Sequence, residues 1–262
     1  MRRKILSKEN SDPFSLSIGD LMAGMLAIFI LTLMIAMLTY TQNKDTITSG
    51  TDHRDVILEN IESRLPQAYG NIVKVEKKEG VIRISTNDQI SSVNGITATT
   101  TGIFNSGSDI LTPNGQQIIL AIGNAIKDSR EELPDDWKYI DTIIIEGHTD
   151  TDGYDTGATG EEKRLNDIKQ NLQLSQNRAF STWDYMRVIK GKNNEPITDY
   201  KNSDNKNLFA VAGYGQSRPL LLENGQPNPN KSELRRIEFR FMLVPADKIL
   251  KNLEASNASI AP

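Results

Sequence analysis

The sharpest pattern in the chain is an unbroken apolar run. No charged side chain occurs between Leu21 and Asn43, and from Leu21 to Leu38 only Thr32 is plainly polar. As a helix, the 20 residues Leu21 to Tyr40 rise about 30 Å, the hydrocarbon thickness of a bilayer. A secretory leader has a shorter apolar core, roughly 7 to 15 residues, closed by a small-residue cleavage site. Here Thr41-Gln42-Asn43-Lys44 follows, so the run predicts a retained anchor. Arg2, Arg3, Lys4 and Lys8 precede it, and Lys44 is the first cation after it. By the positive-inside rule the N-terminus is expected in the cytoplasm, with everything after Tyr40 outside.

Beyond the run the periods change. Thr41 to Thr51 is rich in Thr, Ser, Asn and Asp and reads as a tether; Val56, Ile57, Ile61 and Leu65 then predict a short helix over Asp52 to Leu65, ended by Pro66 and Gly70. Ile72 to Glu76 and Val81 to Ser85 alternate around Lys77-Lys78-Glu79-Gly80, the pattern of a hairpin. A stretch rich in Gly, Thr and Ser runs from Ser91 to Gly107. Pro113 opens a helix in which Ile118, Ile119, Ile122 and Ile126 repeat at helical spacing. Ile140 to Glu146 predicts a strand and Leu165 to Ile189 a long amphipathic helix, with further strands at Leu208 to Ala212 and Ile237 to Val244. Alternating strands and helices argue for one compact α/β or α+β sandwich.

Composition narrows the chemistry. The 262 residues are 37% hydrophobic with a net charge of −4, so there is no broad basic field and no direct nucleic-acid partner is expected. The absence of cysteine excludes disulfides, thiolate catalysis and Cys-ligated zinc. The two histidines, His53 and His148, stand far apart, and H-E-x-x-H, G-x-S-x-G and phosphate-cradling loops are missing. No enzyme, metal or cofactor is expected. Asp150 to Asp155 hints at a calcium loop, but Gly153 falls at the fourth position where the sixth is required, and Tyr154 takes a ligand place. His148 is expected to make a fixed loop hydrogen bond.

Asp20 is the sole charge between Asp12 and Lys44, and it admits two readings. As a helix N-cap at the interface it costs little. If the helix begins earlier, within the uncharged residues Pro13 to Gly19, Asp20 lies below the headgroups, where carboxylates mark ion or proton pathways. Gly24, Ala27 and Leu31 fall within about 40° of it on a helical wheel, and small residues let another helix approach.

A second cluster is Glu146-Gly147-His148-Thr149-Asp150 with Asp152, Asn171, Leu174, Ser175 and Arg178. Residues 171, 174 and 178 share a helical stripe, about 100° from the stripe Leu165, Ile168, Leu172, Ala179 and Met186 that is expected to be buried. If strand and helix are neighbours, Asp150 and Arg178 face each other across one cleft. Such a pair suits a zwitterion, the carboxylate holding an ammonium and the guanidinium forking onto a carboxylate. The plainer reading gives Asp150 an Asx-turn and Arg178 a solvated helix face.

The blocks EGHTDTDG, NLQLSQNRA, AGYGQSRP and RRIEFRF, in that order, resemble the OmpA-like peptidoglycan-binding domain over about residues 102 to 243. The resemblance implies a diaminopimelate-bearing stem peptide of the cell wall as ligand. It implies Asp150 and Arg178 as the binding acid and guanidinium, with Asn171, Leu174, Thr149, Arg235 and Arg236 at neighbouring motif positions. Two features depart from the family: the connection 151–170 is long, and Leu234 replaces the Asn that precedes the paired arginines. Joined to an N-terminal span with an Asp, the domain resembles MotB-type stator subunits. The wording SIGDLMAGMLAIFIL is closer to the ZorB-type subunits of Zorya anti-phage systems than to flagellar ones. That likeness implies a proton-carrying role for Asp20, protons as coupling ion, a homodimer, and a polytopic MotA-like or ZorA-like ring partner.

The expected architecture is a single N-terminal transmembrane helix plus an α+β periplasmic domain, an OmpA-like sandwich of βαβαβ type. The expected divisions are 1–14 cytoplasmic, 15–40 transmembrane, 41–70 linker and short periplasmic helix, 71–245 OmpA-like domain and 246–262 tail. The expected role is a proton-driven, peptidoglycan-anchored motor subunit of the bacterial inner membrane, in anti-phage defence. A flagellar-type stator subunit and a passive tether from inner membrane to wall are the alternatives.

Overall fold

The computed structural model describes residues 13–85, 90–93, 96–99, 102–153, 157 and 159–249; the side chains of 13–19, 42–43, 45–47, 90–93 and 96–99 lie outside the description. The first twelve residues, Tyr154 to Thr156 of the calcium-like run and most of the expected tail also lie outside it. In chain order the helices are α1 (Pro13–Arg64), α2 (Pro113–Glu132), α3 (Gly160–Met186) and α4 (Lys231–Leu234). The strands are β1 (Val73–Glu76), β2 (Val81–Ser85), β3 (Ile90–Val93), β4 (Ile96–Thr99), β5 (Ile140–His148), β6 (Phe209–Gly215) and β7 (Arg236–Leu243). The chain divides into two compact units, 1–48 and 49–262.

The first unit carries the apolar run. Residues Asp20–Thr41 of α1 are long and apolar enough to cross a membrane. Large side chains on every side of that helix are exposed, from Leu38 at 53% to Tyr40 at 69%. A helix apolar all round finds its solvent in lipid or in other helices.

The expected tether is a correction. Helix continues through residues 41–51, and α1 ends only at Arg64. Threonines there do not break it, because Thr41 and Thr48 return their hydroxyls to backbone carbonyls one turn earlier, Thr41 to Leu38 O at 2.9 Å and Thr48 to Lys44 O at 2.9 Å. Gly50 is buried, packed against Leu243 and Ile249, so part of the expected tail also belongs to the second unit.

In the second unit a five-stranded sheet runs in the order β1-β2-β7-β5-β6. β5 and β6 are parallel, and the remaining pairs are antiparallel. β1 and β2 form the expected hairpin, and its turn closes on Gly80 with a left-handed φ of 68°. The Gly, Thr and Ser-rich stretch contains a two-stranded ribbon, β3 with β4. β7 alternates strictly, so Ile237, Phe239 and Phe241 share one face while Arg236, Glu238 and Arg240 share the other. The apolar face meets Ile82 and Ile84 of β2, Ile143 and Ile145 of β5, the isoleucines of α2, and Ile57, Leu58 and Ile61 at the end of α1, all in one buried cluster.

α2 begins as its sequence predicts: Pro113 stands at N1, and the Thr112 hydroxyl caps the helix by accepting from Gly115 N–H at 3.0 Å. α3 starts five residues before the expected Leu165, and its buried face is rotated from the expected stripe toward the polar one. Leu165 and Leu172 are exposed at 54% and 45%, whereas Asn171, Ser175, Arg178 and Thr182 are buried along with Ala179 and Met186.

Candidate functional site

The reason the polar stripe turns inward lies in the strands beneath it. A Cβ at Gly147 of β5 would sit 1.9 Å from Ser175 O, one at Gly213 of β6 2.5 Å from Gln176 N, and one at Gly215 3.0 Å from Leu172 N. Helix backbone rests directly on strand backbone there, and only glycine permits the approach. Ser175 fills the contact: its Oγ accepts from Gly215 N–H at 2.8 Å and donates to Leu172 O at 2.7 Å. The β5–β6 register shifts between Gly147 and His148, with Tyr214 the extra residue on β6, and the chain leaves β5 toward α3 through Thr149 and Asp150.

An open cleft of about 330 Å³ lies at this junction, lined by Thr149, Asp150, Asn171, Leu174, Arg178 and Arg235 among others. Six of the seven expected cleft residues therefore come together. Asp150 is buried, and its Oδ1 accepts the Asp152 N–H at 3.0 Å, the Asx-turn of the plainer reading. Its Oδ2 accepts from Arg235 Nη1 at 2.9 Å. Arg178 is buried, not a solvated helix residue; it donates from Nε to Ser108 O at 2.8 Å and from Nη2 to Asn105 O at 3.1 Å, and stacks 5.2 Å over the Phe104 ring. Asn171 ties the rim together by donating to Asp152 O at 3.0 Å and to Gln216 Oε1 at 3.1 Å. Lys231 pairs with Asp152, and this contact holds the Asp152 carboxyl below its ordinary pKa. Thr149 is 5% exposed, and its hydroxyl has no hydrogen-bond partner among the described residues.

Arg236 is a correction. It does not line the cleft: adjacent residues of a strand face opposite ways, and Arg236 points to the charged face of the sheet. There it donates to Glu238 Oε1 at 2.7 Å and to the carbonyls of Leu234 and Arg218 at 3.2 and 3.1 Å. Glu238 also accepts from Arg83 Nε at 2.8 Å and Arg240 Nη2 at 2.8 Å, and Glu146 takes Arg240 Nε at 3.0 Å on both oxygens. Glu146 and Glu238 are cross-strand partners, a repulsive arrangement relieved by the arginines between them. Burial pushes the Glu238 carboxyl up, but Arg236 and Arg83 outweigh it and hold its pKa at about 2.

His148 is a second correction. It lies in β5, not in a loop, and neither ring nitrogen has a hydrogen-bond partner among the described residues. Its Nε2 stands 3.7 Å from Glu146 Oε2 and 3.9 Å from Glu238 Oε2. Burial lowers its pKa against the pull of Glu146. The three side chains group closely enough for a metal, but arginines already occupy both carboxylates, and a dication beside them would meet like charge.

Asp20 stands seven residues after Pro13, inside α1 and exposed. The N-cap reading fails, because the helix starts well before it.

Residues 103–231 match the sequence profile of the OmpA family. This part of the chain is an OmpA-like domain. Along most of its length the chain is close to the Zorya protein ZorB. It is 25% identical over 248 residues to ZorB of the Crooks strain of Escherichia coli, covering 91% of each. ZorB of Escherichia coli O139:H28 is 25% identical over 242 residues, covering 91% of this chain and 83% of that protein. Among solved structures, a MotB-like protein of Desulfovibrio vulgaris overlaps at a TM-score of 0.42 with 16% identity, covering 75% of this chain and 93% of that one.

Proposed function

We propose that the chain is a proton-driven, wall-anchored motor subunit of the bacterial inner membrane, working in anti-phage defence. One observation carries this reading. A bilayer-length helix whose single carboxylate is Asp20 is joined to a cleft that holds an acid and a guanidinium, Asp150 and Arg178.

The membrane half supplies the engine. With the helix running from Pro13, Asp20 is the carboxylate of the span, and intramembrane carboxylates mark ion or proton pathways. The partner is a polytopic ring of MotA-like or ZorA-like type around two copies of this span, oriented with the N-terminus in the cytoplasm. The outer half supplies the grip. Asp150 takes the ammonium and Arg178 the carboxylate of a diaminopimelate-type stem peptide of peptidoglycan. Thr149 offers its hydroxyl to the same ligand. Anchorage to the wall turns proton flow into torque by providing the reaction force.

The test is Asp20→Asn in the full chain, expressed with the ring partner in cells challenged with phage. The variant is expected to copurify with the partner and to lose protection. Full protection by Asp20→Asn removes the proton carrier and leaves a passive tether.

A further inference from the structure

In the cleft, both oxygens of the Asp150 carboxylate are engaged. Oδ1 accepts the Asp152 N–H at 3.0 Å and Oδ2 accepts from Arg235 Nη1 at 2.9 Å. The Asp150 side chain is 6% exposed and that of Arg235 34%, so the guanidinium stands on the solvent side of the acid. It is carried by a short support. α4 is a single turn capped by the Asn230 side chain, and Lys231 at its start holds Asp152. Two cations that flank one turn thus strap both acids of the 150–152 loop. Arg178 is held elsewhere, on the carbonyls of Ser108 and Asn105.

We infer that Arg235 determines the specificity of the cleft: it occupies the ammonium position on Asp150 until a ligand displaces it, and the freed guanidinium then takes the ligand's carboxylate alongside Arg178. This rests on the wall-peptide reading above. A ligand end that is only an ammonium, as in a lysine side chain, breaks the Asp150–Arg235 pair and leaves the guanidinium with no acid in exchange. A diaminopimelate end breaks the same pair and supplies a carboxylate that accepts the planar fork. The internal competitor therefore weakens the ammonium-only ligand more than the zwitterion, and a difference of affinities of this kind is what specificity requires.

The experiment titrates the full-length chain in detergent with two wall tripeptides that differ only in diaminopimelate or lysine at the third residue. Wild type is compared with Arg235→Gln and Arg235→Lys by calorimetry, with thermal unfolding as a folding control. Wild type is expected to prefer the diaminopimelate tripeptide. Arg235→Gln is expected to bind the lysine tripeptide about tenfold tighter than wild type does and to lose about tenfold of the preference. Arg235→Lys, which keeps the charge without the fork, is expected to fall between, and it serves alone where Arg235→Gln does not fold. An unchanged preference in the variants overturns the inference and leaves discrimination to Arg178. Loss of both ligands by a folded Arg235→Gln also overturns it, because Arg235 would then be holding Asp150 in place and not competing for it. If wild type binds neither tripeptide, the wall-peptide reading itself falls, and the inference with it.

Discussion

Gly147 lies so close to Ser175 that a Cβ on the glycine would come 1.9 Å from the serine carbonyl oxygen. Three residues further along the chain from each stand Asp150, just past the end of β5, and Arg178 on α3, so this backbone contact sets the width of the cleft. Gly147→Ala forces α3 away from β5, and no flexible side chain is there to yield. The expected cost is about 3 kcal/mol or more, at the upper end for overpacking, which lowers the melting temperature by roughly 6–12 °C in a domain of this size. Thermal unfolding of the full chain measures it. A variant as stable as wild type would show that α3 does not rest on this glycine.

The charged face of the sheet predicts an acid limb. Burial raises the Glu238 pKa, but Arg236 and Arg83 bring it down to about 2 from the ordinary 4.5. A carboxyl depressed in the folded state contributes stability above its unfolded pKa and loses it as pH falls toward the folded one. The melting temperature is therefore expected to decline between about pH 4.5 and pH 2 on account of this group, and Glu238→Gln is expected to show a smaller decline over that window. Parallel curves for wild type and variant would contradict the assignment.

Thr149 carries an unpaired hydroxyl at the proposed site. Its hydroxyl is buried without a partner among the described residues, a cost that an isosteric valine avoids. Thr149→Val is expected to stabilise the ligand-free chain by about 1 kcal/mol while weakening its hold on peptidoglycan fragments. Unfolding and calorimetry on the same preparations decide it; a destabilised variant would mean the hydroxyl has a structural partner.

Much of the second unit was legible in the sequence because its periods are clean. The isoleucines of α2 fall at helical spacing and are buried, and the hairpin of β1 and β2 announces itself by alternation on either side of Gly80. The helix α3 misled because its hydrophobic residues mark its buried face only in part: Ala179 and Met186 are buried, and the polar stripe shares the face with them. Leu165 and Leu172 are exposed, and the face that packs is chosen by glycines on other elements, distant in sequence. A single-helix pattern carries no trace of them.

The site divides in the same way. Asp150 and Arg178 reach one cleft, as their motif blocks imply. Arg236 was misplaced although the signal was present: it shares strand parity with Glu238 and Arg240, and Arg235 does not. The tether at 41–51 reads as polar coil by composition, but threonines that return hydrogen bonds to their own helix are compatible with helical backbone. That Asp20 lies within the helix follows from where the helix begins, which an uncharged flank from Pro13 to Gly19 leaves open.

The proposed grip on the cell wall runs through the acid and guanidinium of the cleft. Its most direct measurement is cosedimentation of the detergent-solubilised full chain with purified diaminopimelate-type peptidoglycan, for wild type, Asp150→Asn and Arg178→Ala. Wild type is predicted to pellet with the sacculi and both variants, folded by thermal unfolding, to remain in the supernatant. Equal pelleting of all three would contradict the account.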